Sequence, residues 1–303
     1  RYRPAQNGNT HQAIILFHRG HEHSGRMMFV ADELGFDDFA YFAWDARGHG
    51  NSPGERGDSP SMATSIADIQ NFVHHIEREY GIPTENIAVI AQSVGAVLVS
   101  AWLHDYAPKI RCAVLASPAF KVKLYAPFAR SGLKLMQKWR GNFFVNSYVK
   151  SHYLSHNLER QQSYNNDPLI TRAISVRILL GLYETAERVV ADAQAITTPI
   201  QLLISGSDWV VHHAPQHDFY NRLGSHIKER HVFAGFYHDT LGEQNRELAF
   251  QEMRRFIRQR FDASYQCVDV TQAHIHSDSR READELATPL SPYSPRGAFW
   301  ATY

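Results

Sequence analysis

The stretch NIAVIAQSVGAVLVSAWLH, residues 86–104, carries the most informative pattern in the chain. Its first six residues form a short apolar run, which predicts a strand buried on both faces of a sheet. The apolar residues from Gly95 to His104 predict a helix that leaves this strand directly. Ser93 lies between them, with the small residues Ala91 and Gly95 two positions to either side. This pattern is typical of a serine held exposed on a sharp strand-to-helix turn.

Short apolar runs alternate with helical patterns on both sides of this stretch. Further strands are predicted at Ala13–Phe17, Phe39–Trp44, Ala113–Ala116, Ile200–Ile204 and His231–Phe233. Amphipathic helices are predicted at Ile66–Tyr80, closed by Gly81, and at Glu243–Phe261. Alternation of this kind predicts βαβ units, and therefore an α/β fold with a mostly parallel sheet.

One region breaks the alternation. From about residue 121 to 197 there is no clear strand, but there are several helical patterns and many aromatic residues. Ligands bind at the carboxyl edge of open α/β sheets, so we expect this insertion to form a helical cap over that edge.

Composition excludes several classes of protein. The 303 residues include 31 basic and 31 acidic side chains, and zero net charge argues against nucleic-acid binding. Two cysteines are too few for a disulfide framework. No run of about 20 apolar residues is present, so no membrane span is expected. Cysteine scarcity and neutral charge favour the cytoplasm, although the first residue, Arg1, indicates a processed or trimmed chain.

Length favours one large domain, or one large domain with an appendage. We expect residues 1–264 to form the α/β domain. Residues 265–303 lose periodicity, and TPLSPYSPRGAFW (288–300) carries three prolines. This composition predicts a C-terminal extension that docks on the same domain, or a linker to a further domain after Tyr303.

Ser93 becomes a strong nucleophile only if a base takes its proton and a third group orients that base. After a strand–serine–helix turn of this kind, the acid and then the histidine are expected later in the chain. The apolar run IQLLI leads through Ser205, Gly206 and Ser207 into Asp208, which places this aspartate just past a strand's carboxyl end. The alternatives, none of which directly follows an apolar strand, are Asp192, Asp218 and Asp239.

The histidine is harder to choose, because the chain has 18 of them. His238 follows a predicted strand and turn in HVFAGFYHD, after Asp208 and before the last helix. His231 and His226 are the alternatives. Backbone N–H groups commonly stabilise the oxyanion in such chemistry. Val94, next to Ser93, and Gly20, in the loop after the first predicted strand, are the candidate donors.

The chain resembles α/β-hydrolases of the monoacylglycerol lipase and lysophospholipase type, which are also grouped with the serine aminopeptidases. The matching segments, spread over about residues 12–262, are HRGHEHSGR, FAWDARGHGNSPGERG, AQSVGA, LLISGSDWVV and FYHDTLGE. The resemblance implies an eight-stranded, mostly parallel sheet with a helical cap. It also implies a Ser93–Asp208–His238 triad with Gly20 and Val94 as oxyanion donors. Residues 45–50 are implied to be architectural.

Two positions depart from the family pattern. Arg19 stands where the family usually has glycine, and Ala91 opens the nucleophile motif. Two interpretations of Arg19 are open: it points to solvent, which we favour, or it binds an anionic head group such as a lysophospholipid phosphate. Phe120, Tyr125 and Phe128 are candidates for lining an acyl-chain tunnel, and burial in the cap's own core is an equally good interpretation.

We therefore expect a cofactor-independent serine carboxylester hydrolase acting on acyl esters such as monoacylglycerols or lysophospholipids. The alternatives are an aminopeptidase or thioesterase with the same triad, or a hydrolase-fold binding module within a larger protein. Transient contact of the cap with a membrane surface is a further expectation. No metal is assigned, because the histidine pairs 21/23, 212/213 and 274/276 lack a third ligand at a recognised spacing.

Overall fold

The computed structural model describes residues 1–123, 129–147 and 149–262. Its main sheet has seven strands in the order β1-β3-β2-β4-β5-β8-β9, and all are parallel to their neighbours except β1, which pairs antiparallel with β3. These strands are β1 Tyr2–Arg3, β2 Ala13–Phe17, β3 Ala40–Ala43, β4 Ile87–Gln92, β5 Cys112–Ala116, β8 Ile200–Ser205 and β9 Lys228–Phe233.

The described residues form eight helices. They are α1 Phe29–Leu34, α2 Met62–Tyr80, α3 Val94–Tyr106, α4 Ala129–Arg140, α5 Leu158–Asn166, α6 Val176–Ala191, α7 Ala214–Arg222 and α8 Glu247–Phe261. The helices outside the cap, such as α3 and α8, cover both faces of this sheet. Ile15 packs in the same core layer as Trp102 of α3, whereas Ile14 packs with Phe256 of α8. Every residue of β2, β4, β5 and β8 is buried, as expected of parallel strands covered by helices on both sides.

The predicted α/β-hydrolase fold class is confirmed, with seven strands in the main sheet of the described residues rather than eight. Only β1 precedes β2 there, and residues 4–12 form a loop with a turn at residues 6–7. Strand β9 also begins earlier than predicted, at Lys228. Its first residues are polar, and one of them, Glu229, is buried because it pairs with Arg255 of α8. A search for apolar runs therefore misses this part of the strand.

Residues 121–197, here called the cap segment, lie between β5 and β8. They include α4, α5 and α6, as expected. The expectation of no strand was wrong, because β6 (Phe144–Asn146) and β7 (Ala173–Ser175) form a small antiparallel sheet. Each has three residues, too few to produce a visible alternation. Tyr125, Phe128 and the extension at 265–303 lie outside the described residues. Within the described ranges, no helix is both long and apolar enough to cross a membrane.

Helix α3 approaches β2 very closely at Gly95. A Cβ atom on this glycine would lie 2.4 Å from the backbone oxygen of His18 and 3.0 Å from that of Phe17. Both obstacles are backbone atoms at the end of β2, so they cannot swing aside as a side chain would. The absence of a side chain at position 95 therefore sets the distance between the start of α3 and the loop after β2.

We expect Gly95→Ala to lower the free energy of unfolding by about 1–3 kcal/mol, since overpacking forces backbone shifts. Gly132→Ala in α4 is the matched control, because nothing lies within 4 Å of the Cβ it would add. Alanine is the better helix former by up to about 1 kcal/mol, so the control should be neutral or stabilising. Urea denaturation measures both. Equal stability of Gly95→Ala and wild type would contradict the close approach.

Candidate active site

Ser93 occupies the turn between β4 and α3 in a strained backbone conformation. Its φ is 57° and its ψ is −117°, a combination that costs a residue other than glycine about 1–3 kcal/mol. Three backbone hydrogen bonds hold it: its N–H donates to Ala116 O (2.9 Å), and its carbonyl accepts from Ala119 N and Val97 N (3.2 Å each). This conformation places the Ser93 side chain at the carboxyl edge of the sheet, beside a cavity.

The structure brings Ser93, His238 and Asp208 together. Ser93 Oγ lies 2.7 Å from His238 Nε2, and His238 Nδ1 lies 2.7 Å from Asp208 Oδ2. All three residues are at most 5% exposed. Asp208 comes directly after β8 and His238 after β9, so each strand delivers its side chain to the same edge of the sheet.

Asp208 is held as a carboxylate. Its Oδ1 accepts hydrogen bonds from the backbone N–H groups of Val210 (2.7 Å) and Val211 (3.0 Å). Burial raises the pKa of Asp208, but His238 and these two donors more than offset it and leave the pKa below its usual value. An ionised Asp208 accepts a hydrogen bond from Nδ1–H of His238, which leaves the unprotonated Nε2 to accept the hydrogen bond of the Ser93 hydroxyl.

Gly20 and Val94, the candidate oxyanion donors, are neighbours in space. A Cβ on Gly20 would lie 3.0 Å from Cγ2 of Val94, and both residues line the same cavity as Ser93 and His238. Val94 is the first residue of α3, where backbone N–H groups point out of the helix and the helix dipole favours negative charge. This arrangement suits the binding of an oxyanion.

The favoured interpretation of Arg19 as a solvent-facing residue was wrong. Arg19 is only 4% exposed, and its guanidinium forms two hydrogen bonds to the Glu22 carboxylate, at 2.6 and 2.9 Å. It also lies 3.4 Å from the Asp239 carboxylate. Burial opposes the charged form of Arg19, but these two carboxylates raise its pKa above the ordinary value. The third guanidinium nitrogen, Nη1, has no hydrogen-bond partner among the described residues, and the head-group interpretation stays a prediction.

The cavity beside Ser93 has a volume of about 590 Å³ and a largely apolar lining. Its apolar side chains from the cap segment include Leu133, Val145, Val149, Leu154, Ile174, Ile178, Leu179 and Leu182. Phe120 is not among the lining residues, contrary to the tunnel interpretation, because it is buried against Phe219 of α7 with the ring centroids 4.7 Å apart. The side chains that form an apolar wall are thus aliphatic ones from α4, α6 and the small cap sheet.

Some residues around the site were not predicted from the sequence. His21 and His49 line the cavity, and burial lowers the pKa of His21 to about 4, so this ring is neutral at pH 7. Gln92 donates to the backbone oxygen of His238 (3.2 Å) and to the Asp239 carboxylate (3.1 Å). The only available signals were adjacency to Ser93 for Gln92 and the histidine-rich loop for His21, and neither indicates a role.

The loop at residues 45–50 holds its neighbours in place. Asp45 accepts hydrogen bonds from Ser24 N (2.7 Å) and Asn51 N (2.8 Å), and His18 Nε2 accepts one from Ala46 N (3.1 Å). The loop after β2, which carries Gly20, is thereby tied to the loop after β3. These contacts are those of an architectural loop.

One group of side chains in the described residues has the spacing of a metal site. Ligand atoms of Glu229, His231 and Glu252 lie within 4.8 Å of one another, on β9 and α8. Arg255 forms ion pairs with both carboxylates, which supplies the positive charge that a cation would bring. None of these residues lines the cavity beside Ser93.

Comparison with known proteins identifies the family. The family model for "Serine aminopeptidase, S33" matches residues 8–245. The chain belongs to this family of α/β hydrolases. The relatives include an uncharacterised Escherichia coli protein, YnbC, which is 56% identical over 96% of the chain. The chain spans half of that relative's length.

More distant relatives have named activities. The Bacillus subtilis phospholipase YtpA is 23% identical over 81% of this chain and 95% of its own. Mouse monoglyceride lipase is 28% identical over 77% of each chain. Among solved structures, monoacylglycerol lipase of Paleococcus ferrophilus superposes with a TM-score of 0.75 and 23% identity, covering 86% of this chain and 98% of its own. This last likeness shows the shared fold.

The hydrogen-bond chain from Ser93 to Asp208 predicts a reactive serine. We expect an alkyl fluorophosphonate to label wild type rapidly and Asp208→Asn roughly 10³- to 10⁴-fold more slowly, because an amide holds the wrong imidazole tautomer. Asp218→Asn, an exposed aspartate on α7, is the matched control and should label like wild type. Intact-protein mass spectrometry over time gives the rates. Similar rates for the two variants would show that Asp208 is not the orienting acid.

Proposed function

We propose that the chain is a serine hydrolase of carboxylic esters, with Ser93 as nucleophile, His238 as general base and Asp208 as the orienting acid. The observation that carries this proposal is the pair of 2.7 Å contacts linking Ser93 Oγ to His238 and His238 to Asp208, at the wall of a cavity. Family membership supports it, because the matched segments include all three residues.

The reaction follows from the geometry. Ser93 Oγ attacks the acyl carbonyl while His238 Nε2 takes the hydroxyl proton, and Asp208 stabilises the resulting imidazolium. The N–H groups of Gly20 and Val94 stabilise the oxyanion, and loss of one such donor typically costs roughly 10²–10³ in rate. His238 then protonates the leaving alcohol. Water, activated by the same histidine, releases the acid and restores Ser93.

The substrate class follows from the cavity lining. A space of about 590 Å³ walled by aliphatic side chains suits an acyl chain better than a peptide side chain or a sugar. The relatives named as phospholipase and monoglyceride lipases support esters of this class, including monoacylglycerols and lysophospholipids. We therefore place the protein among lipases and esterases of lipid metabolism, with no cofactor required. An aminopeptidase or thioesterase with the same triad remains the alternative.

The ester proposal is tested with p-nitrophenyl esters of two to sixteen carbons. We expect wild type to hydrolyse them with an optimum at medium or long chains, and Ser93→Ala to lose at least about 10³-fold in kcat/KM. Ile178→Trp, which fills part of the cavity wall, should move the optimum to shorter chains. Equal hydrolysis by wild type and Ser93→Ala would contradict the mechanism. Preference for an aminoacyl anilide or a thioester would favour the alternative.

Helix α4 carries the feature that favours contact with a membrane surface. Ala129 and Leu133 on one side of it line the cavity, whereas Leu135, Met136 and Trp139 are 59%, 48% and 85% exposed. The helix ARSGLKLMQKWR also carries basic residues and no acidic ones. An amphipathic helix with exposed apolar side chains among basic ones is suited to lie in the interface of an anionic bilayer. We propose that α4 docks on the lipid surface that holds the substrate.

The docking proposal predicts a defect confined to lipid surfaces. Leu135→Ser with Trp139→Ser should weaken cosedimentation with vesicles of phosphatidylcholine and phosphatidylglycerol several-fold, and should leave hydrolysis of soluble p-nitrophenyl butyrate unchanged. Leu158→Ser is the matched control, since Leu158 is also exposed in the cap segment, at 69%, but lies on α5. Equal vesicle binding by the double variant and wild type would contradict docking through α4.

A further inference from the structure

Asp239, the residue after His238, is bound by three other parts of the chain. Its Oδ1 accepts from Gln92 Nε2 at 3.1 Å, next to the serine turn. Its Oδ2 accepts from two nitrogens of Arg160, on cap helix α5, at 3.1 and 3.4 Å. The Arg19 guanidinium, from the loop that carries Gly20, lies 3.4 Å from the same oxygen. One carboxylate therefore connects the nucleophile strand, the oxyanion loop, the histidine loop and the cap segment.

These contacts belong to a buried charge cluster, which consists of Arg19, Glu22, Arg26, Arg160 and Asp239. Glu22 accepts from Arg19 and from Arg26, the latter at 2.7 Å. Burial raises the pKa of Asp239, but Arg19 and Arg160 more than offset it and hold the pKa below its usual value. Buried ion pairs add little net stability, because desolvation cancels much of the attraction. The cluster instead fixes the relative positions of the segments that it joins.

The cap segment contacts the loop between β9 and α8, which carries His238 and is here called the histidine loop, at several points. Besides the Arg160 contact, the backbone N–H of Asp239 donates to the carbonyl oxygen of Leu154 at 2.6 Å. Arg160 is itself fixed, because its Nη1 donates to the Arg26 carbonyl (3.3 Å) and its guanidinium lies 4.5 Å from the centroid of the Phe29 ring. A shift of α5 would thus move the backbone that carries His238.

We propose that Asp239 is a positioning residue for His238 and that Arg160 couples the cap segment to it. Asp239 and Gln92 together fix the His238 backbone, since Gln92 also donates to the His238 carbonyl. When Arg160 holds the Asp239 carboxylate, Nε2 of His238 stays within reach of Ser93. The cap then controls turnover as well as access to the cavity. This inference rests on the proposed serine hydrolase function.

The coupling is tested with Arg160→Gln, Arg160→Lys and Asp239→Asn, assayed on p-nitrophenyl butyrate. We expect Arg160→Gln and Asp239→Asn to lower kcat roughly 10- to 100-fold with KM within about twofold, because small displacements of reacting groups cost rate rather than binding. Arg160→Lys keeps a positive charge and should recover part of the loss. The double variant should be no slower than Asp239→Asn alone, since the residues act through one contact.

Arg177→Gln is the matched control. Arg177 on α6 also pairs a cap arginine with a core carboxylate, Asp58, but neither residue contacts the histidine loop. The Arg177→Gln variant should keep the wild-type kcat. Arg160 is 19% exposed at its side chain, so its variants are expected to fold even if Asp239→Asn does not. A circular dichroism melt of each variant verifies this.

Unchanged kcat in Arg160→Gln, a loss carried entirely by KM, or an equal loss in Arg177→Gln would overturn the coupling. Failure of the proposed function looks different, because wild type would then be no faster than Ser93→Ala. In that case fluorophosphonate labelling of Ser93 reports the same geometry without an ester. Slower labelling of Arg160→Gln than of Arg177→Gln supports the coupling, and equal rates overturn it.

Discussion

The strained backbone at Ser93 is the constraint on which the rest of the site depends. A positive φ at a residue with a side chain is unfavourable by itself, and here hydrogen bonds to Ala116, Ala119 and Val97 offset that cost. The turn also requires small neighbours, because α3 passes the end of β2 with no room for a side chain at Gly95. The same approach brings Val94 next to Gly20. The geometry of the proposed nucleophile and of the proposed oxyanion donors therefore depends on one packing contact.

The helices of the cap segment differ in the surfaces that they contact. Aliphatic side chains of α4 and α6 form the wall of the cavity, and the opposite side of α4 exposes apolar and basic residues. Helix α5 contributes charge instead, through Arg160 and its contact with Asp239. We therefore propose substrate binding for α4 and α6, surface contact for the outer side of α4, and the positioning of His238 for α5. Variants in each helix should change different kinetic constants.

The sequence predicts much of this site because its chemistry is local. Ser93 and Asp208 each follow a buried, mostly apolar strand, and parallel strands bring their carboxyl ends to one edge, so position along the chain favours them. His238 follows a strand that begins with polar residues, and the chain order of acid and then histidine favours it over the alternatives. Strands such as β2 and β8 were clear, because both faces are covered and their residues are mostly apolar.

The remaining features depend on contacts between distant segments. Arg19 is buried because it pairs with Asp239 as well as with Glu22. Asp239 lies far along the chain, and no local sequence pattern predicts that it pairs with Arg19. Phe120 lies beside the cap segment in sequence, yet it packs on Phe219. The strands β6 and β7 have three residues each and exist because they pair with each other. Such features depend on tertiary contacts, which the periodic spacing of apolar residues along the chain does not reveal.

We propose that Ser93, Gly20 and Val94 form one acyl-transfer site beneath the cap. A crystal structure of the protein inhibited by a long-chain alkyl phosphonate tests it most directly. We expect a bond from phosphorus to Ser93 Oγ and a phosphoryl oxygen about 2.7–3.1 Å from the Gly20 and Val94 nitrogens. We also expect an alkyl chain lying between Leu133 and Leu182. An adduct on another residue, or a phosphoryl oxygen directed away from both nitrogens, would contradict the proposal.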